Sequence, residues 1–256
     1  MPPHPRISVN ELCSLFQSFD DDLAMWRTLG VRQVGLISPK LEQVGWDAAH
    51  RRVDEAGLRV STLAVEERVV SESLRFAASV GADSVYITSG GVGALPWDEA
   101  AAAFCARVAP HAALAGELGV RLAVEPTHRF RADLSFVFCA RDAFELARAA
   151  GIGVVLDLYS CWNERELEPL VRKNLDALTL VQICDFSLEP HGTPNRSVIG
   201  DGDIPLERLF GMLLDAGYAG VFDLEILGPR IQQEGYSSSI ARSLERASEI
   251  LERLGA

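Results

Sequence analysis

Residues 151–159 read GIGVVLDLY: a glycine able to end a helix, a short β-like apolar run, and a carboxylate, Asp157, where the run stops. Alternation places Val155 and Asp157 on one face, so this strand would carry its acid at the same side as its apolar interior. The same unit can be followed outward in both directions. Towards the N-terminus stand VRLAVEP from Val120, DSVYITS from Asp83, LRVSTLA from Leu58, RQVGLIS from Arg32 and RISVNEL around residue 7. Towards the C-terminus stand LTLVQICDF from Leu178 and GVFDLEIL from Gly220. Between the runs lie stretches such as DDLAMWRTLG and EAAAAFCARVAPHAALAGELG, with apolar residues at helical spacing. Gly30, Gly57, Gly81, Gly119, Gly151 and Gly217 each fall just before the next run, as helix-ending residues do. Eight strand–helix units without a nucleotide-binding glycine fingerprint after the first strand predict one closed (β/α)8 barrel over residues 1–256.

Length and charge agree. A chain of 256 residues is the usual size of such a barrel. With 24 basic against 36 acidic residues, the net charge of −12 argues against a nucleic-acid partner, whose phosphates require a basic surface. Five cysteines without CxxC spacing suit reduced thiols, and no stretch is apolar enough to span a membrane. The N-terminus, MPPHPRISVNEL, has no apolar signal core. The expectation is a cytoplasmic protein with neither membrane nor nucleic-acid partner.

In this fold the site forms at the C-terminal strand ends. There the fifth run ends in Glu125, the sixth in Asp157 and the eighth in Glu225, while the seventh carries Gln182 and Asp185. A single acid in such a place is ordinarily a helix cap or an arginine partner. Three converging on an apolar mouth need a compensating cation, and a divalent ion held by oxygen ligands supplies it.

The chain resembles the sugar isomerase and epimerase superfamily of xylose isomerase-like barrels, which also includes inosose dehydratases, ketose 3-epimerases and dehydroshikimate dehydratases. The resemblance covers nearly the whole sequence. It is densest in EPTHRF from Glu125, LDLYSCW from Leu156, QICD from Gln182, NRSVIGDGDIPL from Asn195 and GYAGVFDLEILG from Gly217. It implies one divalent metal ion on Glu125, Asp157, Gln182 and Glu225. Gln182 stands where a histidine is commoner. A neutral amide oxygen there shifts preference from zinc to Mn2+, with Mg2+ and Co2+ as alternatives. Two further departures are Ser160, where many relatives place a substrate-contacting histidine, and Arg131, where the epimerases have a glutamate. They weaken the ketose epimerase reading and suit a substrate bearing a carboxylate that Arg129, Arg131 or Arg196 could hold.

The expected reaction is isomerisation or epimerisation of a small sugar or polyol-like carbonyl compound through an enediolate, with Glu125 and Glu225 exchanging the proton. Metal-dependent dehydration, as by a lyase, is the runner-up. A non-catalytic barrel acting as a binding subunit is the third reading. An abasic-site endonuclease would need a multinuclear zinc site built from several histidines and a basic groove, and this acidic chain with five histidines offers neither.

Substrate contacts are expected from His128, Arg196, Asn10, Trp162 and Ser160, with Phe186 beside Trp162 at the wall. Asp185 is expected to orient Gln182. Asn10 could equally cap its loop, and His191, His4, His50 and His111 read as exposed or structural. Cys161 and Cys184 read as packing residues, and Gly91–Gly93 is too short to cradle a phosphate. The loops at residues 66–71 and 187–196 should set specificity. Relatives are commonly homodimers or homotetramers, and nothing in the sequence bears on this independently.

Overall fold

The computed structural model describes residues 2–187 and 195–256. Eight parallel strands close into a barrel: β1 (Ile7–Asn10), β2 (Gln33–Ile37), β3 (Arg59–Ala64), β4 (Ser84–Thr88), β5 (Arg121–Glu125), β6 (Gly153–Asp157), β7 (Leu178–Ile183) and β10 (Phe222–Leu224). Two short strands, β8 (Asp185–Phe186) and β9 (Arg196–Ser197), pair antiparallel beyond the mouth. Barrel neighbours follow chain order, and β1 closes the ring between β2 and β10.

All eight expected runs are strands. The six helix-ending glycines all adopt positive φ, between 64° and 94°, which glycine tolerates without strain. The long apolar stretch ahead of β5 forms one helix, Trp97–Leu118, which continues through Pro110. The expected seventh run is divided: β7 ends at Ile183, Cys184 intervenes, and Asp185 begins the small hairpin.

Two apolar regions hold the barrel. Between helices and strands, Trp26, Phe104, Phe210 and Phe222 are fully buried, and the rings of Phe210 and Phe222 stack with centroids 4.6 Å apart. Inside the barrel, Tyr86, Ala123, Val155 and Leu180 form a small layer with Ala64 and Val221 packed against it. That layer positions the site. Two residues further along each strand, the alternation of side chains brings Glu125, Asp157 and Gln182 onto the same inward face, one level nearer the mouth. Register agrees, since Glu125 lies opposite Thr88 and Asp157 opposite Gln182. Among the described residues no helix is long and apolar enough to cross a membrane.

Candidate active site

At the C-terminal mouth a cavity of about 380 Å³ has Glu125, Asp157, Arg196 and Glu225 among its lining residues. These side chains and Gln182 are buried, with exposures between 0% and 8%. The structure therefore brings together the four residues that the resemblance marks as metal ligands, and it adds a cation from within the chain. Arg196 donates to both Asp157 oxygens, Nη1 to Oδ1 at 3.2 Å and Nη2 to Oδ2 at 3.0 Å. Its Nη2 also lies 3.0 Å from Glu225 Oε1, and its guanidinium stands 4.6 Å from the centre of the Tyr159 ring. Planar, forked and always charged, a guanidinium suits such a buried bidentate role.

The remaining lone pairs of Asp157 are taken locally. Oδ1 accepts the backbone N–H of Tyr159 at 3.0 Å, and Oδ2 accepts the Ser160 hydroxyl at 2.9 Å. The ordinary reading of a strand-end acid, helix cap and arginine partner, thus describes Asp157 in full. Gln182 turns its amide nitrogen towards Tyr86 Oη, at 2.9 Å, and towards Glu225 Oε2. Its amide oxygen is buried with no hydrogen-bond partner. Glu125 carries no hydrogen bond within the described residues, and burial, with Glu225 and Asp157 nearby, pushes its carboxyl well above the usual range. Burial raises Glu225 to about 7 although Arg196 draws it back.

The donors fit a hard divalent cation in kind. Three carboxyl groups face one guanidinium at the cavity floor, and the Gln182 oxygen is a buried acceptor that nothing uses. In arrangement Arg196 comes first: among the described residues no three His, Cys, Asp or Glu side chains are grouped as ligands. One level deeper, Asp223 accepts from Ser8 and from Asn10, whose Nδ2 is 2.7 Å away, and is raised by burial to about 6.

Several residues expected against substrate lie elsewhere. Asn10 is fully buried: it caps the Leu12 N–H at 2.9 Å, and its amide serves Asp223 and Tyr86. Ser160 points at Asp157. Trp162 packs on Phe186, their ring centroids 6.1 Å apart, and neither lines the cavity. Asp185 does not reach Gln182. Its Oδ1 accepts the N–H groups of Phe186 and Ile204, and its Oδ2 those of Gly200 and Gly202. That clamp fixes the turn after β9, the strand that carries Arg196. At Gly202 an added Cβ would run into the Phe186 carbonyl and the Asp185 carboxylate, so only glycine fits.

Two of the three arginines are paired within the chain: Arg131 forks onto Asp133 at 2.9 and 2.8 Å and Arg196 is committed to the floor, while Arg129 lies over the Phe138 ring. His128 does line the cavity. Its Nδ1 accepts from Phe130, its ring stands 5.4 Å from that of Tyr159, and burial lowers its pKa, which keeps it neutral. His191 lies outside the described residues.

Tyr86 was not anticipated. Its hydroxyl accepts hydrogen bonds from Gln182 and Asn10, which directs its own proton elsewhere in the mouth. The signal was available: a buried tyrosine needs a partner for its hydroxyl, and Tyr86 shares the inward parity of Thr88, opposite Glu125.

Barrel and buried acidic mouth together define a protein of the xylose isomerase-like class. A model of the family described as xylose isomerase-like TIM barrel matches residues 23–247, and the chain belongs to that family. Among solved structures, protein SMc04130 from Sinorhizobium meliloti 1021 is similar, with 23% identity, a TM-score of 0.86, and 96% of this chain and 98% of that one covered. The IOLI protein with a bound zinc atom is 14% identical at a TM-score of 0.80, covering 97% and 99% of the two chains. An L-ribulose 3-epimerase is 17% identical at 0.79, covering 100% and 96%. No curated protein matches the sequence.

Proposed function

We propose that this chain is a divalent-metal-dependent isomerase or epimerase of a small hydroxycarbonyl compound, acting through an enediolate. The observation that carries the reading is the pair Glu125 and Glu225, two buried carboxylates lining one cavity with a single guanidinium to balance them and Asp157. Family membership and the likeness to an epimerase support it. Glu125, Asp157, Glu225 and the oxygen of Gln182 would hold the ion, with Mn2+ favoured by an all-oxygen donor set. Bound there, the ion supplies Lewis acidity to the substrate's carbonyl and neighbouring hydroxyl oxygens.

The chain's own residues supply the proton traffic. One glutamate removes the proton from the carbon beside the carbonyl, and the C–H electron pair moves into the new carbon–carbon double bond as the carbonyl oxygen gains the charge. The other glutamate returns a proton: to the opposite face of the same carbon it gives the epimer, and to the former carbonyl carbon it gives the isomer, the neighbouring hydroxyl passing its proton to the former carbonyl oxygen. No oxidant or reductant is consumed. Tyr86 offers its hydroxyl proton at the mouth, while Ser160 and the Tyr159 N–H hold Asp157 in place.

Metal analysis and Mn2+ titration of stripped protein, followed by α-proton exchange in D2O over a panel of hydroxycarbonyl compounds, test the reading. Glu225→Gln is expected to lower exchange by a factor of about 10²–10⁴ while the fold persists. Unchanged exchange in that variant removes Glu225 from the chemistry, and a folded protein that binds no divalent ion overturns the metal.

A further inference from the structure

Above its charged floor the cavity is walled largely by hydrocarbon, from Leu12, Leu15, Ile37, Val65, Leu134 and Leu227, with Glu66, Glu67 and Arg131 also in the lining. The polar side chains at that level are already occupied. Glu66 pairs with Arg68 at 2.7 Å, Glu67 pairs with Arg107, and Arg131 is forked onto Asp133. Among the described residues, the hydroxyls of Thr88, Thr127 and Tyr159 and the His128 ring are the polar groups left to offer hydrogen bonds along these walls. On the loops after β1 and β5, Phe16 and Phe130 are 75% and 71% exposed and add two apolar rings to the outer surface at this end of the barrel.

This distribution discriminates between substrates. A polyol carries a hydroxyl on nearly every carbon, and each one buried without a partner costs about 1–3 kcal/mol. A hydrocarbon body gains about 0.8 kcal/mol per methylene on the same walls. A phosphate would need a free cation, and the two arginines that line the cavity among the described residues, Arg131 and Arg196, are both paired with carboxylates. We propose that the substrate is an uncharged α-hydroxy ketone with a largely hydrocarbon body, alicyclic or aromatic, whose two oxygenated carbons meet the charged floor while the body lies against the leucine-rich walls. The proposal rests on the enediolate reading above and narrows its substrate from a polyol to a ketone with one polar end.

The test compares 2-hydroxy-1-phenylethanone and 2-hydroxycyclohexanone with D-fructose and D-fructose 6-phosphate, on the full chain with MnCl2. Calorimetry gives the affinities and NMR the deuterium taken up beside the carbonyl in D2O. The two hydrocarbon ketones are expected to bind at least about tenfold more tightly than either sugar. Leu15→Asn, and separately the rim variant Leu134→Asn, should weaken the aryl ketone by about tenfold. Fructose bound more tightly, with exchange, overturns the substrate class and leaves the enediolate reading standing. Aryl ketone bound without exchange does the reverse. Binding of neither ketone, or no loss in both leucine variants, also overturns the proposal.

Discussion

Arg196 and Asp157 lie 39 residues apart in the chain and meet as a fork on a carboxylate, with two contacts of 3.0 and 3.2 Å in a buried site. The same guanidinium reaches Glu225, so one arginine from the β8–β9 hairpin joins strands β6 and β10 across the mouth. Removing it strands buried carboxylates. Arg196→Met should cost about 3–5 kcal/mol, the usual penalty for breaking a buried pair. If the same carboxylates bind a divalent ion, Mn2+ should raise the melting temperature of the variant more than that of the wild type. Calorimetric unfolding with and without MnCl2 decides it: equal shifts would mean that ion and guanidinium do not answer the same charges.

Gln182 gives a second handle on that ion. Its amide oxygen is a buried acceptor at the floor without a partner. Gln182→His replaces a hard oxygen donor by an imidazole nitrogen, so preference should move from Mn2+ towards Zn2+. Competition between the two ions, read by chelator titration, should show the ratio of affinities rising for zinc. An unchanged ratio would exclude residue 182 from the ligand set.

Those two residues show what the sequence could and could not yield. The strands were legible because each is a short apolar run, and six of the eight follow a helix-ending glycine. Convergence of the strand-end acids Glu125, Asp157 and Glu225 was legible from their places at the ends of the runs, with alternation supporting Asp157, and Gln182 joined them only through the family resemblance. The counter-cation was not, since it depends on where a hairpin folds back, and a two-residue strand leaves no periodic trace. Asn10, Ser160 and Asp185 were placed correctly along the chain, but their side chains turn to local backbone or to a neighbouring carboxylate. Short polar side chains do so readily, and no sequence pattern gives the direction.

The turn that carries Arg196 is itself testable. Asp185 gathers four backbone N–H groups, and Gly202 leaves no room for a Cβ beside that carboxylate. Gly202→Ala should push the turn off Asp185 and lower stability by about 1–3 kcal/mol through overpacking. Because the displacement passes to Arg196, the variant should also alter Mn2+ affinity, which a surface substitution such as Arg208→Ala should leave alone. Destabilisation with unchanged Mn2+ affinity would confine Asp185 and Gly202 to folding.

Away from the mouth, Glu11, Asp22 and Lys40 are buried together: Lys40 bonds Asp22 and the Ser14 carbonyl, with Glu11 3.9 Å away. Two carboxylates share one ammonium, and each keeps an oxygen without a partner. Burial pushes Glu11 up to about 8 from an ordinary 4.5, although Lys40 and the Ile37 N–H favour its charged form. A raised carboxyl pKa means that the folded protein holds a proton the unfolded chain has released. Stability from this group is therefore complete below about pH 4.5 and declines as pH rises towards about 8. Glu225 and Asp223, also raised, act in the same direction. Glu11→Gln keeps the shape and removes the titration, so chemical unfolding between pH 5 and pH 9 should show a shallower decline than in the wild type. An identical slope would mean that Glu11 is already ionised beside Lys40 throughout that range, with the ammonium balancing both acids.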